Sequence, residues 1–143
     1  MRPIRPTARC IFRRNNQVML VHVYDPDYHD GAFLVPTGGG IDFGEHSKVA
    51  AIREAMEETG QEVTNLQLLG VIENIFTVNN GDHHELVFVY EADFVDQKIY
   101  DLEEIPVVES NGMKFAARWY DLAWLKEEHM PVYPTSILDI LQR

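Results

Sequence analysis

Apolar and polar positions along the chain fall into short runs of two periods, and these predict the elements. Thr7 to Arg13 and Gln17 to Tyr24 are strand-like runs separated by Asn15-Asn16, a turn dipeptide that predicts a hairpin. Asp25 to Gly31 is polar, holds Pro26 and Gly31, and is expected to be a loop. Phe33-Leu34-Val35 predicts a short strand ending at Pro36, and Gly38-Gly39-Gly40 behind it predicts tight backbone geometry. A helix is expected from Ser47, as cap, to Thr59, with Gly60 as its C-terminal stop.

Beyond that helix, Leu66 to Val78 and Glu85 to Phe94 are rich in β-branched and aromatic residues. Asn79-Asn80-Gly81-Asp82 between them is a turn signal, so a second antiparallel pair is predicted. Val95 to Gly112 is mixed and acidic and is expected to be mostly loop. Lys114 to Tyr120 predicts a strand, and Leu122 to Glu128 and Thr135 to Leu141 predict two short helices separated by Pro131 and Pro134. Strands with one central helix and a helical end predict a mixed-sheet α/β or α+β sandwich. No repeat or long linker divides residues 1–143, so a single domain is expected.

Charge changes the picture more than size does. Twelve basic and 23 acidic side chains give a net charge of −11, which argues against nucleic-acid polymers and anionic membranes as partners. A small polyanion remains open to an acidic protein if divalent cations reverse the local field. The one cysteine, Cys10, rules out an intramolecular disulfide and is expected to be a small buried hydrophobe. No signal peptide or membrane span is visible, so a cytoplasmic location is expected.

The candidate chemistry lies in the predicted helix. At 100° per residue, Glu54, Glu57 and Glu58 project at about 0°, 300° and 40°, sharing one face. Val49, Ile52, Met56 and Thr59 cluster opposite and are expected to be the core stripe. Three carboxylates at that spacing repel one another, and a magnesium-class cation, which takes hard oxygen ligands, would relieve them. An acidic solvated face with an Arg53-Glu57 ion pair is the plainer reading of such a cluster in isolation.

The cluster is not isolated. Gly39, Glu45, Arg53-Glu54, Ala55, Glu57-Glu58 and Gly60 stand in the register of the Nudix box, and the segment Gly39 to Gln61 resembles it at seven fixed positions. The one departure is Gln61, which fills the final apolar slot and is expected to alter only local packing. The resemblance implies a Nudix-like α/β/α sandwich with a mixed β-sheet. It also implies a hydrolase that uses Mg²⁺, or Mn²⁺, to cut a phosphoanhydride bond in a nucleoside diphosphate linked to another moiety. Glu57 and Glu58 would be the main side-chain metal ligands, with Glu54 as a further ligand or general base. The carbonyl of Gly38 or Gly39 would complete the inner shell. Arg53 would orient the glutamates, and Glu45 would support the site from the loop through Arg53 or a second metal.

The base can also come from outside the box, and Glu103, Glu104 and Glu109 are the candidates. Tyr24, Tyr28, His29 and Phe33 could stack on a nucleobase or simply pack, and Arg5 and Arg9 could touch phosphates or remain solvated. His83 and His84 lack the spaced ligands of a zinc site. Trp119 and Trp124 are expected in core or dimer packing, and a homodimer is compatible with the family. The alternative of another class is a non-catalytic nucleotide-sensing module, against which the complete box argues. An isomerase of the same fold would need a cysteine at the pocket, and Cys10 in an early strand is poorly placed for it.

Overall fold

The computed structural model describes residues 2–26, 31–78 and 81–142. The strands are β1 (Arg5–Ile11), β2 (Arg13–Arg14), β3 (Gln17–Tyr24), β4 (Ala32–Val35), β5 (Thr37–Gly40), β6 (Val63–Val78), β7 (Gly81–Phe94), β8 (Glu104–Val108) and β9 (Lys114–Asp121). The helices are α1 (Ser47–Thr59), α2 (Leu122–Lys126) and α3 (Ile137–Leu141), with a 3-10 turn at Gln97–Asp101.

One sheet has the order β5-β1-β7-β6, and the other runs β2-β3-β9-β8 with β4 also on β3. The first is mixed, because β1 runs parallel to β7 and antiparallel to β5. Two apolar layers cover the two faces of this framework. One unites Ala8 and Cys10 of β1, Ala92 and Phe94 of β7, Ile105 and Val107 of β8, and Ala50, Ala51 and Ala55 of α1. The other unites Ile11, Leu20, Leu34, Val87 and Val89 with Leu125 of α2 and Ile137, Ile140 and Leu141 of α3. Helices on both faces of a mixed sheet make the expected α/β/α sandwich.

The hairpin at Asn15-Asn16 exists only as the short β2–β3 pair, with Asn15 at φ 55°. The chain bends after Ile11, and β1 leaves its sequence neighbour to pair with β5 and β7. The glycine triplet is not a turn. It is strand β5, paired residue for residue with β1 from Thr7↔Gly40 to Cys10↔Thr37. The acidic stretch expected to be loop contains β8, where Ile105 and Val107 alternate inward between exposed neighbours; Pro106 is tolerated because β8 lies at a sheet edge. Asn79 and Asn80 lie outside the described residues.

Helix α1 starts and stops nearly as its sequence predicts. Gly60 is left-handed at φ 73°, and its N–H donates to the Met56 carbonyl at 2.9 Å. Ser47 is not the cap, however. His46 occupies that position without a side-chain bond, while the Ser47 hydroxyl sits 2.7 Å from that of Tyr90.

The larger correction is the face α1 buries. Val49, Ile52 and Met56 are 52 %, 38 % and 47 % exposed, and the inward positions are Ala50, Ala51, Ala55 and Glu58. Alanines on the helix and glycines on β5 bring the two backbones close, so Glu54 and Glu58 of the carboxylate face turn inward while Glu57 stays exposed. Ala51→Leu should therefore cost about 1–3 kcal/mol by overpacking, whereas Met56→Gln should stay within about 0.5 kcal/mol. Denaturant melts of both variants check this, and the reverse order would mean that the outward residues form the packed face.

Candidate active site

Three elements meet around β5: the loop after it, helix α1, and the β8–β9 connection. Arg53 ties the first two together. Its Nε and Nη2 donate to the two Glu45 oxygens at 2.8 and 2.9 Å, a bidentate pair, and Nη2 also reaches the Gly40 carbonyl at 3.0 Å. Its Nη1 donates to Glu54 at 3.0 Å and to Glu57 at 3.2 Å. These bonds, with the Asp42 N–H at 3.1 Å, hold the Glu45 carboxyl down at about 2, and the same partners push the Arg53 guanidinium up.

The glycines are needed for close approach. A Cβ on Gly39 would stand 2.6 Å from Glu54 Cδ and 2.7 Å from both carboxylate oxygens. Gly38, at φ 147°, lies in the region that favours glycine, and a Cβ there would strike the Ala8 carbonyl. The Gly38 peptide is used on both ends: its N–H donates to Glu58 Oε1 at 2.8 Å, and its carbonyl accepts from Arg9 Nη1 at 3.2 Å. Arg9 Nη1 also bonds the Pro36 carbonyl.

Glu58 is 5 % exposed, and burial raises its carboxyl to about 8. The charge of Glu109 adds to that rise and Glu54 adds further, while Arg9 and the Gly38 N–H oppose it. Glu109, half-buried beyond β8, is itself raised by burial and by Glu54, with Arg9 opposing. Of the three acidic-loop candidates, then, only Glu109 comes near the box. Glu104 pairs with Arg118 at 2.8 Å, and Glu103 is exposed.

Residues expected to share a site are therefore brought together unevenly. Glu54 and Glu58 lie inward against the glycine strand, whereas the Glu57 side chain is 55 % exposed and turned to Arg53. Among the described residues, no three His, Cys, Asp or Glu side chains stand in a ready-made metal-binding group. The donor chemistry nevertheless fits a hard divalent cation, because Glu54, Glu58 and Glu109 crowd oxygen donors beside a glycine backbone where Arg9 and Arg53 are the cationic neighbours.

The other expectations divide. Cys10 is buried, and desolvation, then the charge of Glu58, pushes its thiol up to about 12, making it inert. Trp119 packs in the core with Arg14 over its ring at 4.7 Å, and Trp124 is half-buried against Tyr120 and His129. His83 stacks on Phe76, and His84 meets Glu73 at 3.1 Å. Tyr24 is largely exposed, Tyr28 and His29 lie outside the described residues, and Phe33 packs edge-on to Tyr133. The last pair walls a cavity with Asn74, Phe76 and Glu85, none of which the sequence singles out. The one signal was a polar residue at a strand position facing inward.

With this geometry in view, the NUDIX domain profile matches residues 3–138. The chain belongs to the Nudix family. A Bacillus subtilis protein named as an uncharacterized Nudix hydrolase, YvcI, is 26 % identical over 144 residues, covering 98 % of this chain and 80 % of its own. The crystal structure of a MutT Nudix hydrolase from Burkholderia pseudomallei is similar at a TM-score of 0.63 and 25 % identity, covering 85 % of both chains. The fold is also that of the mutator MutT protein from Bacillus halodurans, with a TM-score of 0.64, 20 % identity, and 98 % and 84 % of the chains covered. This Nudix hydrolase is thus a pyrophosphohydrolase in general type, of a family that generally uses a divalent metal. No helix among the described residues is long and apolar enough to cross a membrane.

The buried Glu58 sets a pH dependence for the metal-free protein. Its folded carboxyl titrates at about 8, against 4.5 for the free group. Below pH 4.5 both states are protonated and no penalty exists. As pH rises towards 8 the unfolded chain ionises freely and the folded one does not, so stability falls and then levels off. Glu58→Gln should therefore gain stability relative to the native protein between pH 5 and 8, by a few kcal/mol in order of magnitude. Melts in chelator across that range check the sign, and a constant difference would contradict it.

Proposed function

We propose that this Nudix hydrolase cuts a phosphoanhydride bond in a nucleoside diphosphate linked to another moiety, using Mg²⁺, with Mn²⁺ able to replace it. The observation that carries the proposal is the buried Glu58 carboxylate, with Glu54 and Glu109 close by, against the side-chain-free backbone of Gly38 and Gly39. Glu57, Glu58, Glu54 and the Gly39 carbonyl would hold the cation, with the Gly38 carbonyl as the alternative backbone ligand. Glu57 would leave its bond to Arg53 to do so. When bound, the cation supplies positive charge against the diphosphate oxygens and makes a neighbouring water more acidic.

The chain's own residues supply the rest. Arg53, fixed by Glu45 and the Gly40 carbonyl, orients Glu54 and Glu57. Glu54 or Glu109 takes the proton of the attacking water. Burial and mutual repulsion raise the Glu109 carboxyl, which makes it the stronger proton acceptor when ionised. Water oxygen bonds to phosphorus, the bridging P–O bond breaks, and the leaving phosphate group takes the electron pair. Arg9, beside these carboxylates, faces the incoming phosphates.

Release of phosphate and nucleotide from a panel of nucleoside diphosphate derivatives, with and without Mg²⁺ or Mn²⁺, tests this reading. Turnover should require the metal, and Glu58→Gln and Glu57→Gln should each lower kcat by about two orders of magnitude or more. Arg53→Lys, which loses the bidentate fork, should lower it about 10- to 100-fold. Tight nucleotide binding with no turnover of any compound would instead favour a sensing module.

A further inference from the structure

A cavity of about 200 Å³ opens on the face of the sheet opposite α1, lined by Arg9, Phe33, Asn74, Phe76, Glu85 and Tyr133 among others. It is smaller than the roughly 300–1,000 Å³ of a site for a drug-sized ligand, a size suited to one flat ring system. Its walls are aromatic and aliphatic, with the Phe33 and Tyr133 ring centroids 5.5 Å apart at 67°, and Val35 and Val87 completing them. Such walls take the faces of a base by stacking, without regard to its identity.

Identity has to be read by the polar groups. Asn74 and Glu85 are directly opposed across the β6–β7 ladder, which puts both side chains on one face of the sheet. Glu85 is fixed, because Arg5 Nη1 donates to its Oε2 at 3.1 Å from the neighbouring strand while its side chain is only 15 % exposed. A carboxylate offers acceptors alone, whereas a carboxamide offers both a donor and an acceptor. Guanine alone among the common bases sets two N–H donors, N1–H and the N2 amine, side by side with a carbonyl next to them. Adenine and cytosine place a ring acceptor beside their amine, and uracil has a single N–H between two carbonyls. A carboxylate facing any of those meets an unmatched acceptor.

We propose that this cavity holds the base of the substrate and that Glu85, with Asn74, selects guanine. Glu85 accepts from N1–H and the N2 amine, and the Asn74 amide donates to the guanine carbonyl. The inference rests on the hydrolase reading above, which it deepens to guanosine compounds. Arg9 gives the spatial link: it borders the cavity while its guanidinium bonds the carbonyl of Gly38, whose N–H holds Glu58. A nucleotide with its base in the cavity therefore leads its phosphates past Arg9 to the carboxylates.

The test is kcat/KM with Mg²⁺ for the 5′-triphosphates of guanosine, inosine, adenosine and cytidine. Inosine is the informative competitor, since it lacks only the N2 amine. Guanosine should exceed inosine by about tenfold or more, and adenosine and cytidine by about a hundredfold or more. Glu85→Gln should bring the guanosine-to-inosine ratio to about one or below. Calorimetric binding of guanosine and inosine monophosphates to the metal-free protein reads the same preference without turnover. Equal handling of guanosine and adenosine by the native protein, or an unchanged ratio in Glu85→Gln, would overturn the proposal and reduce Arg5–Glu85 to an interstrand ion pair. Guanosine-selective binding with no turnover of any triphosphate would keep the cavity assignment and overturn the hydrolysis.

Discussion

The contact on which the site depends is that between the Gly38-Gly39 backbone and the carboxylates of α1. Glu54 lies where a Gly39 side chain would be, and Glu58 accepts the Gly38 N–H. A side chain at Gly39 would push Glu54, and the helix that carries it, away. Ala50, Ala51 and Ala55 are the complement on the helix, since larger residues there would hold the backbones apart. The same closeness buries Glu58, and burial is what makes its ionisation costly. Packing and electrostatics at this site are thus one arrangement, in which a dense small-residue seam forces acidic groups out of water.

Arg53 and Arg9 divide the compensation for that charge. Arg53 stands on the loop side and is saturated by Glu45, Glu54, Glu57 and the Gly40 carbonyl, so it acts as a fixed brace. Arg9 comes from β1 and bonds carbonyls rather than carboxylates, which leaves its charge to act on Glu58 and Glu109 from across the strand. It also borders the aromatic cavity, so one side chain joins the acidic cluster to the proposed base pocket.

Much of this was legible in the chain, for reasons that differ residue by residue. The spacing from Gly39 to Gly60 is covalent, so the box is readable without the fold, as are the left-handed stop at Gly60 and the strands β3 and β9. Ranking residues by apolar size points to Val49, Ile52 and Met56 as the inward face of α1, whereas the decisive property is smallness, set by the glycine strand beneath. Strand β8 was hidden by acidic exposed positions around Ile105 and Val107. The nearness of Glu109 to Glu58, and of Asn74 and Glu85 to Phe33 and Tyr133, joins segments far apart in sequence, and no local periodicity reports such pairs. The triplet Gly38-Gly39-Gly40, expected to have tight backbone geometry, is an extended strand that lets a helix approach closely.

The arrangement has chemical purpose if these carboxylates gather on one divalent cation, as proposed above. Titration of Mn²⁺ into the native protein, followed by electron paramagnetic resonance, tests it directly. A bound-ion signal is expected that weakens by about tenfold or more in affinity for Glu58→Gln and is unchanged for Glu104→Gln, whose carboxylate is paired with Arg118. No bound ion, or equal affinity in both variants, would contradict it.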